Sequence, residues 1–183
     1  TDVVGRLVAE RLQAVLGQPV VVENRGGASG GVGSQAVARM AADGYSLVVS
    51  GVGSHGIVPA VVANPGYDAL RDFTHVGMLG LFNSVLVVHP SFAARDVAGF
   101  VAAARARPGT INYATSGNGS SNHILGELIR HEAQIDIVHV PYRGAGPALQ
   151  AVLANEVPAM CDSLPSAAPH IAAGTLRALA VSS

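Results

Sequence analysis

A chain of 183 residues has room for one domain or two small ones. Apolar residues make up 49% and charged residues 13%, which predicts a sizeable core and excludes a chain kept disordered by its charge. A net charge of −1, with 11 Lys plus Arg scattered singly and 4% aromatics, excludes the basic stripe and stacking rings of a nucleic-acid surface.

Mean hydropathy is +0.39, yet no apolar run reaches the roughly 18 residues of a membrane-spanning helix, so a soluble globular protein is expected. The single cysteine, Cys161, excludes an internal disulfide. The chain begins at Thr1 rather than Met, so the lack of a visible leader carries no weight.

In chain order, Val4, Leu7, Val8, Leu12, Val15 and Leu16 predict an amphipathic helix with Asp2 as N-cap and Gly17 as stop. "PVVVEN" (19–24) reads as a buried strand, "RGGASGG" as a loop and "VGSQAVARMA" as a helix. "DGYSLVVS" (43–50) is a turn and a strand, "GVGSHG" a glycine loop, "IVPAVVA" a short helix and "NPGYD" a turn. "HVGMLGL" (75–81) and "SVLVVHP" (84–90) read as adjoining strands, followed by a helix over 97–106. Then come the strand "TINYA" (110–114), a loop of small polar residues and a helix over 122–131. "DIVHV" is a strand, "PYRGAG" a loop and "PALQAVLA" a helix with Pro147 in its first turn. "VPAMCD" is a strand, with Pro158 expected at an edge or bulge because it lacks an amide donor. "PSAAPHIAAG" is a helix and "LRALAVSS" a final strand. The alternation predicts an α/β class with mostly parallel sheets, whose ligands bind at loops off the carboxyl ends of strands.

Three loops carry candidate chemistry. "TSGNGSS" opens a helix, so its free amides, Gly117, Gly119 and the hydroxyls of Ser116, Ser120 and Ser121 suit a carboxylate or phosphate. Plain capping of the helix is the competing reading. "SGVGSHG" matches G-x-G-x-x-G, but Pro59 shortens the next helix and no acidic residue closes a second strand. A turn presenting Ser54 and His55 is favoured over a dinucleotide site. "GASGG" sets Ser29 in a G-x-S-x-G pattern, with Asp162 and His170 downstream as a possible hydrolase triad. An elbow requires a strand running into the serine, and 24–27 intervene. Ala28 to Gly33 otherwise form a second cluster of amide donors. The seven histidines show no i,i+4 or i,i+2 pairs, so neither metal nor cofactor is expected. His55, His75, His89, His139 and His170 stand alone in sequence. Asp162 ends a strand at a sheet rim, and Arg143 precedes a helix, where an anion partner or plain solvation are both open.

The stretches "VVVENRGGASGGVGSQAVARMAADGYSLVVSGVGSHGIVPA", "NYATSGNGSSNHILGELI", "VHVPYRGAGPAL" and "SLPSAAPHIAAGTLRALAVSS" together resemble the substrate-binding proteins of tripartite tricarboxylate transporters, the Bug family of periplasmic solute receptors. The resemblance covers essentially the whole chain. It implies a periplasmic binding protein of type II, with two parallel-sheet lobes joined by hinge strands and the first lobe incomplete. The implied division is domain I over 1–84, domain II over 85–178 and a return hinge strand over 179–183. It further implies a small carboxylate ligand in an interlobe cleft, permease subunits as membrane partners, a periplasmic location and no enzymatic activity. Carried over by motif, the ligand-binding residues are Ala28, Ser29, Gly30, Ser54 and His55, with Ser116, Gly119, Ser120, His123, Tyr142, Gly144 and Asp162. Family members normally have a strand and a Pro-Gly-rich loop before the position of Thr1 and continue past Ser183, so a receptor truncated at both ends is expected. Gly26 stands where the family has Pro. A serine hydrolase using Ser29 and a truncated, non-binding remnant are the alternatives.

Overall fold

The computed structural model describes residues 1–182, so the last position of the expected final strand, Ser183, lies outside the described residues. The chain divides into two compact units, Thr1–Gly80 and Leu81–Ser183.

The first unit is built from helices and turns. Helix α1 (Asp2–Leu16) ends on Gly17 in the left-handed conformation, where only glycine is unstrained. Thr1, not Asp2, is its N-cap, while Asp2 accepts from Asn24 and Arg6. A tight turn at Ala28–Gly30 leads into α2 (Gly31–Ala38). A wide helical turn, Gly53–Ile57, runs into the short α3 (Val58–Val61). A small core of Val58, Tyr67 and Ala69 joins them, flanked by Ala38 and Phe73.

Three strands expected here, over 19–24, 43–50 and 75–81, do not form: among the described residues no strand precedes Ser84. An apolar run is a strand only when a neighbouring strand takes its amides and carbonyls. These segments have no such neighbour, and Val21, Leu47, Val76 and Met78 stand exposed. The apolar stripe of α1 is likewise open at Leu7, Val15 and Leu16.

The second unit holds one five-stranded sheet, ordered β3-β2-β4-β1-β5. Its strands are β1 (Ser84–Val88), β2 (Asn112–Thr115), β3 (Val138–Pro141), β4 (Ala159–Ser163) and β5 (Arg177–Val181). β2 is parallel to β3 and β4, and β1 is antiparallel to β4 and β5. Four strands therefore share one direction and β1 opposes them. Pro158 sits just before β4, a central strand rather than the expected edge, and its carbonyl accepts from His89. Proline is tolerated there because the ladder starts one residue later.

Side chains alternate between two cores. Leu86, Val88, Tyr113 and Cys161 point to one face, with Phe100 and Ala104 of α4 (Val97–Ala106). Leu125 and Ile129 of α5 (Ser121–Glu132) cover that face too. Val85, Val87, Ala114 and Met160 point to the other, covered by α6 (Ala145–Leu153) and α7 (Leu164–Ala172). Burial on both faces is why β1 reads as an unbroken apolar run. It also pushes the Cys161 thiol up to about 12, chiefly by loss of water.

Three contacts fix the layers. Gly126 lets α5 lie directly on the Tyr113 ring: a Cβ there would come within 2.1 Å of Cε2. Asp96 caps α4, its carboxylate accepting from the Gly99 amide at 2.7 Å. Arg177 of β5 donates to the carbonyls of Pro90, Phe92 and Ala94 at 2.9–3.1 Å.

Gly126→Ala is expected to lower stability by about 1–3 kcal/mol through overpacking, and Asp96→Ala by about 1 kcal/mol through the lost cap. Urea unfolding followed by circular dichroism measures both, and an unchanged midpoint for Gly126→Ala would contradict the α5–Tyr113 packing.

Candidate functional site

The parallel strands β2, β3 and β4 end at Thr115, Pro141 and Ser163. The segments that follow each lead into a helix: α5, α6 and α7. Three helix N-termini thus open at one edge of the sheet. First-turn amides have no carbonyl within their own helix and bear partial positive charge, so this edge is the electropositive end of the second unit.

At α5 the loop is organised from within. Ser120 is the N-cap, and its hydroxyl accepts from the His123 amide at 3.1 Å. The Gly119 amide donates to His123 Nδ1 at 3.2 Å, and the Gly117 amide to Thr115 Oγ1 at 3.2 Å. Gly117 and Gly119 have φ of 129° and 72°, which side chains disfavour. Asn122 is buried and donates to Ser116 Oγ at 3.5 Å. The capping expected of this loop is therefore made by Ser120. Ser120 serves the helix, while Ser121 and Asn122 supply first-turn amides.

The Tyr142 amide donates to the Thr115 carbonyl at 3.1 Å, which binds the "PYRG" turn to the end of β2. Gly144 caps α6 at φ 116°. Asp162 is fully buried at the end of β4. Its Oδ1 accepts from the Ser163 amide at 2.7 Å, and its Oδ2 has no hydrogen-bond partner among the described residues. Burial raises its pKa, against the opposing pull of the nearby Ser166 hydroxyl and the Ser163 amide. Thus Ser116, Gly119, Ser120, His123, Tyr142, Gly144 and Asp162 all lie on or beside the three junctions.

In the first unit, Ala28 and Ser29 have φ of 44° and 54°, left-handed values that strain residues bearing a Cβ by about 1 kcal/mol or more each. Gly30 lies against Ser54: a Cβ on it would sit 3.3 Å from the serine Cβ. The Tyr67 hydroxyl donates to the Ser54 carbonyl, and Ser54 Oγ meets His55 Nδ1 at 3.1 Å. His55 packs on Phe73 at 4.9 Å, and burial, then His75, lower its pKa. The turn and the "SHG" segment are therefore one cluster. No strand runs into Ser29, so the elbow that a hydrolase requires is not built.

Histidines that stand alone in sequence are paired in space, a correction to the one-dimensional reading. His139 stacks on His123 at 4.0 Å, and His55 faces His75 at 6.2 Å. Sequence reasoning passed over Thr115, buried at the end of β2 with Oγ1 2.6 Å from His139 Nε2. It also passed over Tyr67, since neither shows its partner in a linear pattern. Among the described residues no cluster of metal-ligating side chains forms, and no helix is long and apolar enough to cross a membrane.

Residues 4–183 match the family model described as "Tripartite tricarboxylate transporter family receptor". Protein BugT of Bordetella pertussis is 39% identical over 99% of this chain and 56% of that protein. A protein of Pseudomonas sp. strain P51, encoded in the tcbD-tcbE intergenic region, is 36% identical over 100% of this chain and 54% of its own length. The chain thus spans just over half of these relatives. Among solved structures, an R. palustris protein with adipate superposes with a TM-score of 0.94 at 36% identity, over 99% of this chain and 60% of that one. MatC from Rhodopseudomonas palustris with bound malate gives 0.90 at 32% identity, over 100% and 62%. Match and superposition extend over both units, and on that ground the chain belongs to the tripartite tricarboxylate transporter receptor family.

Proposed function

We propose that this chain is the ligand-gripping part of a periplasmic solute receptor, which captures a small di- or tricarboxylate and delivers it to membrane permease subunits. The observation that carries the reading is the gathering of three helix N-termini at one sheet edge, beside a buried carboxylate with an unpaired oxygen. Relatives solved with adipate and with malate support the ligand class.

In this reading the first-turn amides of α5, with Ser116, Ser120 and the Tyr142–Gly144 turn, hold one carboxylate of the ligand. Asp162 takes a different part. A second negative group beside an anion is unfavourable, so its unpaired oxygen serves a hydroxyl or water accompanying the ligand. Ala28, Ser29, Gly30, Ser54 and His55 are proposed as an anion contact of the first unit, where Ala28 and Ser29 have left-handed backbone. No step of this function needs a nucleophile.

Calorimetry with malate, adipate and citrate is expected to show saturable binding to this chain, and silence across all three would overturn the reading. Ser121→Pro isolates the amides. Ser121 is the first helical residue, where proline is tolerated, and Ser120 already has φ −74° and ψ 158°, the conformation that precedes proline. The variant is expected to fold with an unchanged midpoint while affinity falls about tenfold, through one lost charge-assisted hydrogen bond.

Asp162→Asn reports on the buried carboxylate. A pKa raised on folding means that the native state holds this proton more tightly. Stability from this group is therefore greatest below the ordinary aspartate pKa and is lost as pH rises through the raised value. Thermal melts should show the variant gaining most over wild type near pH 7 and little near pH 3, and the opposite trend would contradict the assignment.

A further inference from the structure

Beside the α5 mouth lies a group of side chains centred on His139, which is not among the expected ligand-binding residues, and joined to His123, which is. His139 of β3 stacks face to face on His123 of α5, with ring centroids 4.0 Å apart and planes within 20°. Tyr113 of β2 packs on His139 at 5.3 Å. His139 Nε2 lies 2.6 Å from Thr115 Oγ1, and that oxygen also accepts from the Gly117 amide at 3.2 Å. The Gly119 amide donates to His123 Nδ1 at 3.2 Å. Both glycine amides are thereby turned inward, onto groups tied to the histidine stack.

The Gly119 hydrogen bond fixes one ring proton. Because Gly119 donates to His123 Nδ1, that nitrogen carries a lone pair and the ring proton is on Nε2, facing Glu127 Oε1 at 3.9 Å. Thr115 Oγ1 accepts from Gly117, and its own proton is assigned to the shorter of its two remaining contacts, His139 Nε2 at 2.6 Å against the Gly117 carbonyl at 3.4 Å. With these protons both rings are neutral, and the stack avoids the repulsion that two imidazolium rings would meet at this separation.

The surrounding charges agree. Glu127 could attract a proton to the pair, but Tyr113 donates to its Oε1 at 2.8 Å, and Arg130 pairs with its Oε2 at 2.8 Å. Cys161 acts on Tyr113 from β4, and burial holds both groups protonated. Burial, then His123, push His139 down to about 4, with Glu127 acting weakly the other way.

We propose that His139 is a positioning residue for the ligand loop: through the Thr115 hydroxyl and the stacked His123 ring it holds the Gly117 and Gly119 amides inward, fixes the shape of the α5 mouth, and releases it when acid charges His139. The proposal rests on the reading of that mouth as the anion site. The lock is complete above the ordinary histidine pKa and is lost as pH falls toward about 4.

The test is nitrogen-15 NMR and amide exchange on the full chain without ligand, followed by malate titration. At pH 7 the His123 ring should show the Nε2–H tautomer, and the Gly117 and Gly119 amides should be protected. His139→Phe keeps a ring for the stack but loses the acceptor. It should cut protection at Gly117 about tenfold, make the protection independent of pH between about 4 and 7, and weaken malate binding about tenfold. Thr115→Val, which keeps the shape of the strand end, should remove the same protection at Gly117. Unchanged protection in both variants, or an Nδ1–H tautomer at His123 in wild type, would overturn the proposal whether or not malate binds. Protection lost as described, with no carboxylate binding to wild type, would uphold the positioning role and overturn the receptor reading instead.

Discussion

A sheet covered by helices on both faces leaves only its ends for polar chemistry. In the second unit the two cores close over β1 and β4 from opposite sides, and the buried polar residues gather where strands stop. Thr115, Ser120, Asn122 and Asp162 are all buried and all lie at strand-to-helix junctions. The parallel run of β3, β2 and β4 brings those junctions to the same edge. Site and fold thus follow from one packing constraint.

A second constraint acts within the junction. A loop rich in amides needs acceptors when no ligand is present. At α5 the Gly117, Gly119 and His123 amides are satisfied by internal acceptors, Thr115 Oγ1, His123 Nδ1 and Ser120 Oγ. A loop whose inward bonds are already made at neutral pH has its ordering entropy settled at folding.

Much of this could be read from the chain itself, and the failures have physical causes. The helix after "TSGNGSS" was legible because a run of small polar residues ahead of a 3.6-residue apolar period has few other uses. β1 was legible because a fully buried strand needs no alternation. The strands expected over 19–24, 43–50 and 75–81 failed because hydrophobicity encodes a wish for burial, whereas a ladder also needs a partner at the right register. His139 looked solitary because its partners, Thr115 and His123, are 24 and 16 positions away. Its role depends on which ring nitrogen carries a proton, and residue spacing holds no information on that.

The Arg177 fork has a consequence for synthesis. Its guanidinium reaches back to the Phe92 carbonyl across 85 positions, and Ser182 Oγ accepts from the Ser84 amide across 98. β1, the most apolar strand, lies between β4 and β5, both of which leave the ribosome long after it. Until then "VLVV" has no ladder to join, and long-range pairing of this kind is slow and open to aggregation. The nascent chain therefore benefits from shielding of this segment until β5 emerges.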